Sequence, residues 1–248
     1  MTILEQGRFK LKYVDESIEL MPTGALYWPS RHTLIVADLH LGKGTTFQRN
    51  GIPIPDGTDQ VTLQKLQSDI EATRARDILI LGDFIHARIG WNATLVDKLN
   101  GFFHGNPDTR WQLVLGNHDR GSLSRFGQFP IELFRAPYVV EPFTFFHELP
   151  DQEELAEREF QAFMAGHIHP CISIRDSERI GARLKCFWCQ ANGLVLPAYG
   201  EFTGSHRIEP RSQDRVIGIV EKELIDVTDL VSRGAPRHVK KWESSDRS

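Results

Sequence analysis

Five short polar blocks carry the side chains that could do chemistry: Asp38-Leu39-His40, Gly82-Asp83, Gly116-Asn117-His118-Asp119, a single His147, and Gly166-His167-Ile168-His169. A turn alone would account for Gly116 and Asn117, since both tolerate unusual backbone angles. It would not account for the repetition. Asp38, His40, Asp83, Asn117, His147, His167 and His169 offer seven oxygen and imidazole ligands without a thiolate, a set suited to Mn²⁺, Fe or Zn²⁺ rather than to a structural zinc site. Seven ligands exceed what one ion takes and fit two ions that share a carboxylate. Two metals about 3.5–4 Å apart clamp the attacking and leaving oxygens of a phosphoryl displacement. Asp83 is the natural bridge, because a carboxylate can hold one ion with each oxygen. One ion would then take Asp38, His40 and His169, and the other Asn117, His147 and His167. His118 directly follows a ligand, so it points near the site without being consumed by it. It is the expected general acid for the leaving oxygen, with Asp119 orienting it.

The elements that must position these blocks are legible in the apolar pattern. Residues 34–37 form a nearly continuous apolar run before Asp38, as in a strand buried on both faces, and "DILIL" and "WQLVL" repeat the design before Asp83 and Asn117. Earlier, "SIEL" and "GALYWP" also read as strands. Leu63, Leu66 and Ile70 recur at helical spacing, as do Leu95, Val96, Leu99, Phe102 and Phe103. Strand–helix–strand–helix–strand order implies right-handed crossovers and a parallel sheet, whose carboxyl ends face one crevice. The intervening "LGKGTTFQRNGIPIPDGT" reads as a loop rich in Gly and Pro. After residue 130 the texture shifts to short strands in an antiparallel or mixed sheet, with a small helix expected in "DQEELAEREF". Residues 1–231 are expected to form one domain, and residues 232–248 a polar, flexible tail.

The chain's 248 residues are 40% hydrophobic and 25% charged, with a net charge of −4. This composition is ordinary for a globular protein and argues against a general polyanion-binding surface. Three cysteines make no disulfide framework, and no segment reads as a signal peptide or a membrane span. The sequence therefore reads as a soluble cytoplasmic protein.

"DLH", "GDFIH", "GNHD", His147 and "GHIH" resemble, in order and context, the metallophosphoesterase pattern of the calcineurin-like superfamily. The resemblance implies an α/β fold in which a two-sheet sandwich is flanked by helices (four layers, α/β/β/α). It also implies a dinuclear centre, with Mn²⁺ expected and Fe or Zn²⁺ the other options, and the metal and acid roles named above. More narrowly, "VADLHLGKGTTFQRNGIPIPDGT" and "LPAYGEFTGS" look like the bacterial ligase-associated DNA damage response endonucleases. Those are encoded beside a DNA ligase, a helicase and a nuclease, which implies nuclease work on DNA in a repair setting. The expected activity is a phosphodiesterase, a metal-bridging hydroxide attacking the phosphodiester. Lys43, Arg49, Arg88 and Arg120 stand near the motifs and are the cations expected to hold substrate phosphate. His86 either reaches the substrate side or occupies a surface turn.

Other readings compete with this one. A phosphomonoesterase or nucleotide phosphatase would need the same ligands, since the mono- or diester choice lies in the loops. A non-catalytic scaffold of the same fold would lack ligands, and none is missing here. "GKGT" is not a phosphate-binding loop, because Ala37 and Gly44 occupy positions that require Gly and Ser or Thr. In "CFWC", Cys186 and Cys189 on a strand face opposite sides, so they read as packing residues.

Overall fold

The computed structural model describes residues 4–5, 7–49, 51–52, 55, 57–151, 153–154, 161–173, 183–201 and 203–231. The first sheet opens as an antiparallel run: β1 (Leu4–Glu5), β2 (Arg8–Tyr13), β3 (Glu16–Leu20), β4 (Leu26–Trp28) and β5 (Thr33–Val36). It continues in parallel through β6 (Asp77–Leu81), β7 (Arg110–Val114) and β8 (Ile131–Phe134). Between these strands lie α1 (Lys43–Arg49), α2 (Thr58–Thr73), α3 (Ala93–His104) and the short α4 (Leu123–Phe126).

The second sheet is mixed. Its strands are β9 (Tyr138–Val140), β10 (Phe143–Phe145), β11 (Ala162–Ala165), β12 (Pro170–Ser173), β13 (Arg183–Gln190), β14 (Gly193–Val195), β15 (His206–Arg207), β16 (Arg215–Val220) and β17 (Glu223–Asp226). Within it, β10, β11 and β14 run parallel to one another. The other pairings are antiparallel except that of β12 with β15.

Strand alternation sorts the core into layers. On β5, Leu34 and Val36 face α2 and α3, packing with Leu63, Leu66, Leu95, Leu99 and Phe103. Ile35 and Ala37 face the other way, into the cleft between the sheets, against Phe143, Phe145, Met164 and Phe187. Both faces of the central strands are thus buried, which is why their sequence is nearly all apolar, with Gln112 on β7 satisfied by the Tyr138 hydroxyl. Cys189 joins the inter-sheet core and Cys186 the outer cluster with Val216 and Val227, so the two cysteines do lie on opposite faces of β13. A last short helix, α5 (Thr228–Val231), reaches that outer cluster through Val231.

Several elements depart from the sequence reading. The Gly- and Pro-rich segment expected to be a loop contains α1, held at its start by the Gly42 N–H bonded to Asp59 Oδ1 (2.9 Å) and by the Thr46 hydroxyl on the Gly42 carbonyl (3.0 Å). Tertiary contacts here override a weak helix propensity. Strands β2 and β8 also went unread, because their apolar alternation is diluted by exposed Lys and Glu at the sheet margin. The helix expected at 151–160 and the tail from 232 fall outside the described residues, apart from residues 151, 153 and 154.

Candidate metal centre

Parallel strands from both sheets end at one crevice. Asp38 and His40 follow β5, Asp83 follows β6, Asn117 and His118 follow β7, His147 follows β10, and His167 and His169 follow β11. The chain beyond β5 stays paired with the chain beyond β6: Asp38 N–H donates to the Gly82 carbonyl (3.2 Å), His40 N–H to that of Asp83 (2.9 Å) and Leu41 N–H to that of Phe84 (2.9 Å). Five of the expected ligands, Asp38, His40, Asp83, His167 and His169, hold positive φ between 48° and 68°. Left-handed backbone costs such residues roughly 1–2 kcal/mol each, and strain of this kind clusters where a site dictates geometry. Gly82 shows how crowded that geometry is: at φ +77°, a Cβ there would lie 2.1 Å from His147 Nδ1. A Cβ on Gly116 would lie 2.3 Å from Asp83 Oδ1.

Three sets of ligand atoms lie within 4.8 Å of one another: Asp38–His40–His169, His40–Asp83–His118 and Asp83–His147–His167. Asn117 joins the last set, its Oδ1 being 2.9 Å from His147 Nε2. Asp83 faces both sides. Its Oδ1 is 3.4 Å from His147 Nε2, and its Oδ2 is 3.8 Å from His40 Nε2 and from His118 Nε2. Each carboxylate is oriented by one backbone donor, His167 N–H on Asp38 Oδ2 (2.8 Å) and His118 N–H on Asp83 Oδ1 (3.0 Å).

The proton inventory of these side chains fits a cation. A carbonyl can only accept, so His147 Nδ1 donates to the Leu81 carbonyl (2.9 Å) and His169 Nδ1 to that of Gly204 (2.9 Å). With Nδ1 so engaged, each ring turns its Nε2 inward, the carbonyl-oriented arrangement of metal-binding histidines. His147 Nε2 meets Asn117 Oδ1 and, at 3.1 Å, His167 Nδ1. His169 Nε2 meets His40 Nε2 at 3.2 Å and Asp38 Oδ1 at 3.5 Å. Asp38 Oδ1 is fully buried and accepts no hydrogen bond. Acceptors that converge without enough protons between them repel one another unless positive charge sits among them. Burial, with the fields of His169 and Lys43, pushes His40 down to about 2, and burial pushes His86 down to about 4. Both rings are therefore neutral, as metal ligation requires of His40. Burial raises the Asp83 carboxyl despite His147, so positive charge there would restore its ordinary acidity.

The expected orienting contact between Asp119 and His118 is absent. The buried Asp119 carboxylate instead accepts the N–H groups of Gly116 (3.0 Å) and Ile85 (3.2 Å), tying the ends of β7 and β6 together, and burial lifts it to about 6. A side chain one residue after His118 points away along the chain, so the ring finds another partner. His118 Nδ1 donates to the His86 carbonyl, and the His86 ring stacks on that of His118 at 5.3 Å and 19°. His86 therefore sits at the site, and its Nδ1 is 3.3 Å from His40 Nδ1. Lys43 is buried at the start of α1, whereas Arg49, Arg88 and Arg120 are exposed.

Sequence reasoning missed what supports Asp38 from behind. Tyr199 and Gly200 donate their N–H groups to the carbonyls of Ala37 (2.8 Å) and Asp38 (3.0 Å). Two lysines hold that segment: Lys185 Nζ donates to the carbonyls of Ala198 (2.9 Å) and Gly200 (3.1 Å), and Lys65 Nζ to that of Tyr199 (2.6 Å). The wording "LPAYGE" marked the segment without indicating its chemistry.

The chain belongs to the calcineurin-like phosphoesterase family, whose model matches residues 31–176. This is a family of divalent-metal hydrolases of phosphoester bonds. The chain is similar to the Pseudomonas putida nuclease MPE, with 28% identity and a TM-score of 0.74 over 88% of this chain and 99% of that one. It is more distantly similar to the E. coli phosphoesterase YfcE, with 15% identity and a TM-score of 0.39 over 78% of this chain and 96% of that one. A protein of unknown function from Aquifex aeolicus, AQ665, aligns at 16% identity and a TM-score of 0.38 over 60% of this chain. No curated protein matches the chain. Among the described residues, no helix is long and apolar enough to cross a membrane.

Proposed function

We propose that the chain is a two-metal phosphodiesterase that works as a nuclease on DNA, as a soluble cytoplasmic protein. The observation that carries the reading is the placement of Asp83, whose two oxygens face two separate groups of ligands. Asp38, His40 and His169 would hold one ion, Asn117, His147 and His167 the other, and Asp83 both. Mn²⁺ suits this mixture of imidazole and oxygen donors. When bound, the pair of ions supplies acidity that makes water a nucleophile near neutral pH and charge that offsets the growing negative charge at phosphorus.

The chain's own residues do the rest. His118 gives a proton from Nε2 to the leaving oxygen, and the His86 carbonyl on Nδ1 holds the ring in place and stabilises it when charged. Asp119 keeps the His118 backbone in position by fastening Gly116 to Ile85. Lys43, Arg49, Arg88 and Arg120 draw in the phosphate backbone, and His86 lines the substrate side. Support for DNA as substrate comes from the Pseudomonas putida nuclease, which shares the fold over 99% of its own length, and from the loop wording shared with ligase-associated endonucleases. The same wording is the support for a DNA-repair setting, beside a ligase and a helicase, in this reading.

The test is cleavage of a labelled single-stranded oligonucleotide and of bis-p-nitrophenyl phosphate, each with Mn²⁺ and after chelation. Mn²⁺-dependent cleavage of both is expected. Cleavage of the small diester alone would leave a phosphodiesterase and remove DNA as substrate. Faster turnover of p-nitrophenyl phosphate than of either would replace this reading with a phosphomonoesterase.

A further inference from the structure

Phe47 is an aromatic ring that packing does not explain. Among the described residues it joins none of the buried apolar clusters. It lies half-buried on α1, one helical turn after Lys43 and on the same face, with Lys43 Nζ 5.4 Å from its ring centre. Its other ring neighbour is His86, at 5.8 Å and a tilt of 40°. His86 stacks in turn on His118. Phe47, His86 and His118 are thus successive ring neighbours, the last of them at the metal centre. Near Phe47 are exposed Ile52, whose N–H donates to the Phe47 carbonyl (2.9 Å), and, on the turn Arg88–Gly90 that packs against α1, exposed Ile89.

A phosphate needs cations and hydrogen-bond donors, and a phenyl ring offers neither. What it offers is a flat apolar face, and stacking on such a face is how proteins hold bases of a single strand without reading their sequence. We infer that Phe47 is the stacking platform for a nucleobase adjoining the scissile phosphate. The subsite takes a base-bearing single strand and is separate from the metal ligands; it rests on the nuclease reading above. Lys43 beneath the ring meets the backbone phosphate of the same nucleotide.

The test compares two single-stranded oligomers of equal length, one of thymidylate and one of abasic tetrahydrofuran residues, which differ only in their bases. Wild type should prefer the thymidylate oligomer in kcat/KM. Phe47→Ala should lower that preference by roughly 5- to 150-fold, the range of one base stack on one aromatic ring. Phe47→Trp should keep it. Phe47→Leu, which retains apolar bulk without the π-face, should lower it too, and serves if the alanine variant folds poorly. Equal losses on both oligomers, with the ratio unchanged, would overturn the platform while leaving the nuclease intact, as would a wild type indifferent to bases. A wild type that cuts neither oligomer, yet turns over bis-p-nitrophenyl phosphate, would instead remove the nuclease reading and the platform with it.

Discussion

The His118 ring donates its Nδ1–H to the main-chain carbonyl of His86 while the two imidazoles stack at 5.3 Å. The bond and the stack together fix both the rotamer and the tautomer of His118, so its Nε2 is held facing the Asp83 carboxylate at 3.8 Å. A positioned imidazole with one nitrogen anchored and the other aimed at the reacting centre is the arrangement a general acid needs.

His118→Ala should therefore keep its metal and lose rate. The expected fall in kcat is about 10²- to 10⁴-fold for substrates with poor leaving groups, such as an oligonucleotide. It should be much smaller for bis-p-nitrophenyl phosphate, whose nitrophenolate departs without a proton. The comparison of the two substrates, with metal content measured alongside, checks the assignment. Loss of metal in this variant would make His118 a ligand instead.

Gly82→Ala should disturb the site through His147. The added methyl meets the imidazole, and the position holds φ +77°, where an alanine costs roughly 1–2 kcal/mol before any clash. The ring has to swing off the Leu81 carbonyl that sets its tautomer. A lowered melting temperature together with weaker Mn²⁺ binding in a calorimetric titration is the expected result.

Lys185 makes stability depend on alkaline pH. Burial, then the nearby charge of Lys65, push its amine from the ordinary 10.5 down to about 8. Between those values the unfolded chain holds a proton that the folded chain has released. The cost of burying the ammonium is thus fully present below pH 8 and is relieved as pH rises toward 10.5. The free energy of unfolding of wild type, relative to Lys185→Gln, should rise across this window by up to about 1.4 kcal/mol per pH unit. Denaturant melts at pH 7.5, 9 and 10 measure it.

Much of the site was legible because strands buried on both faces stand out against polar residues at their ends. Asp38, Asp83 and Asn117 each close an apolar run, and His147, His167 and His169 follow two more, so the topology of parallel strands brings them together. The wiring around them was not legible. That Asp119 serves Gly116 and Ile85 while the His86 carbonyl serves His118 depends on where two loops meet, which spacing along the chain does not encode. The contact of Lys65 with the segment behind Asp38 joins residues far apart in sequence. Helix α1 was hidden for a related reason: its Gly44 and its two threonines are poor helix formers, and its stability comes from packing and from Asp59.

The proposed chemistry turns on Asp83 holding two ions in one centre. That role is tested most directly by titrating metal-free protein with Mn²⁺ while recording the electron paramagnetic resonance spectrum, for wild type and Asp83→Asn. Wild type should bind two Mn²⁺ per chain and give the signal of a spin-coupled pair. Asp83→Asn should lose that coupling, with activity down by at least about a hundredfold. A wild type that binds a single ion, or two ions without coupling, or an Asp83→Asn variant that keeps the coupled signal, would contradict it.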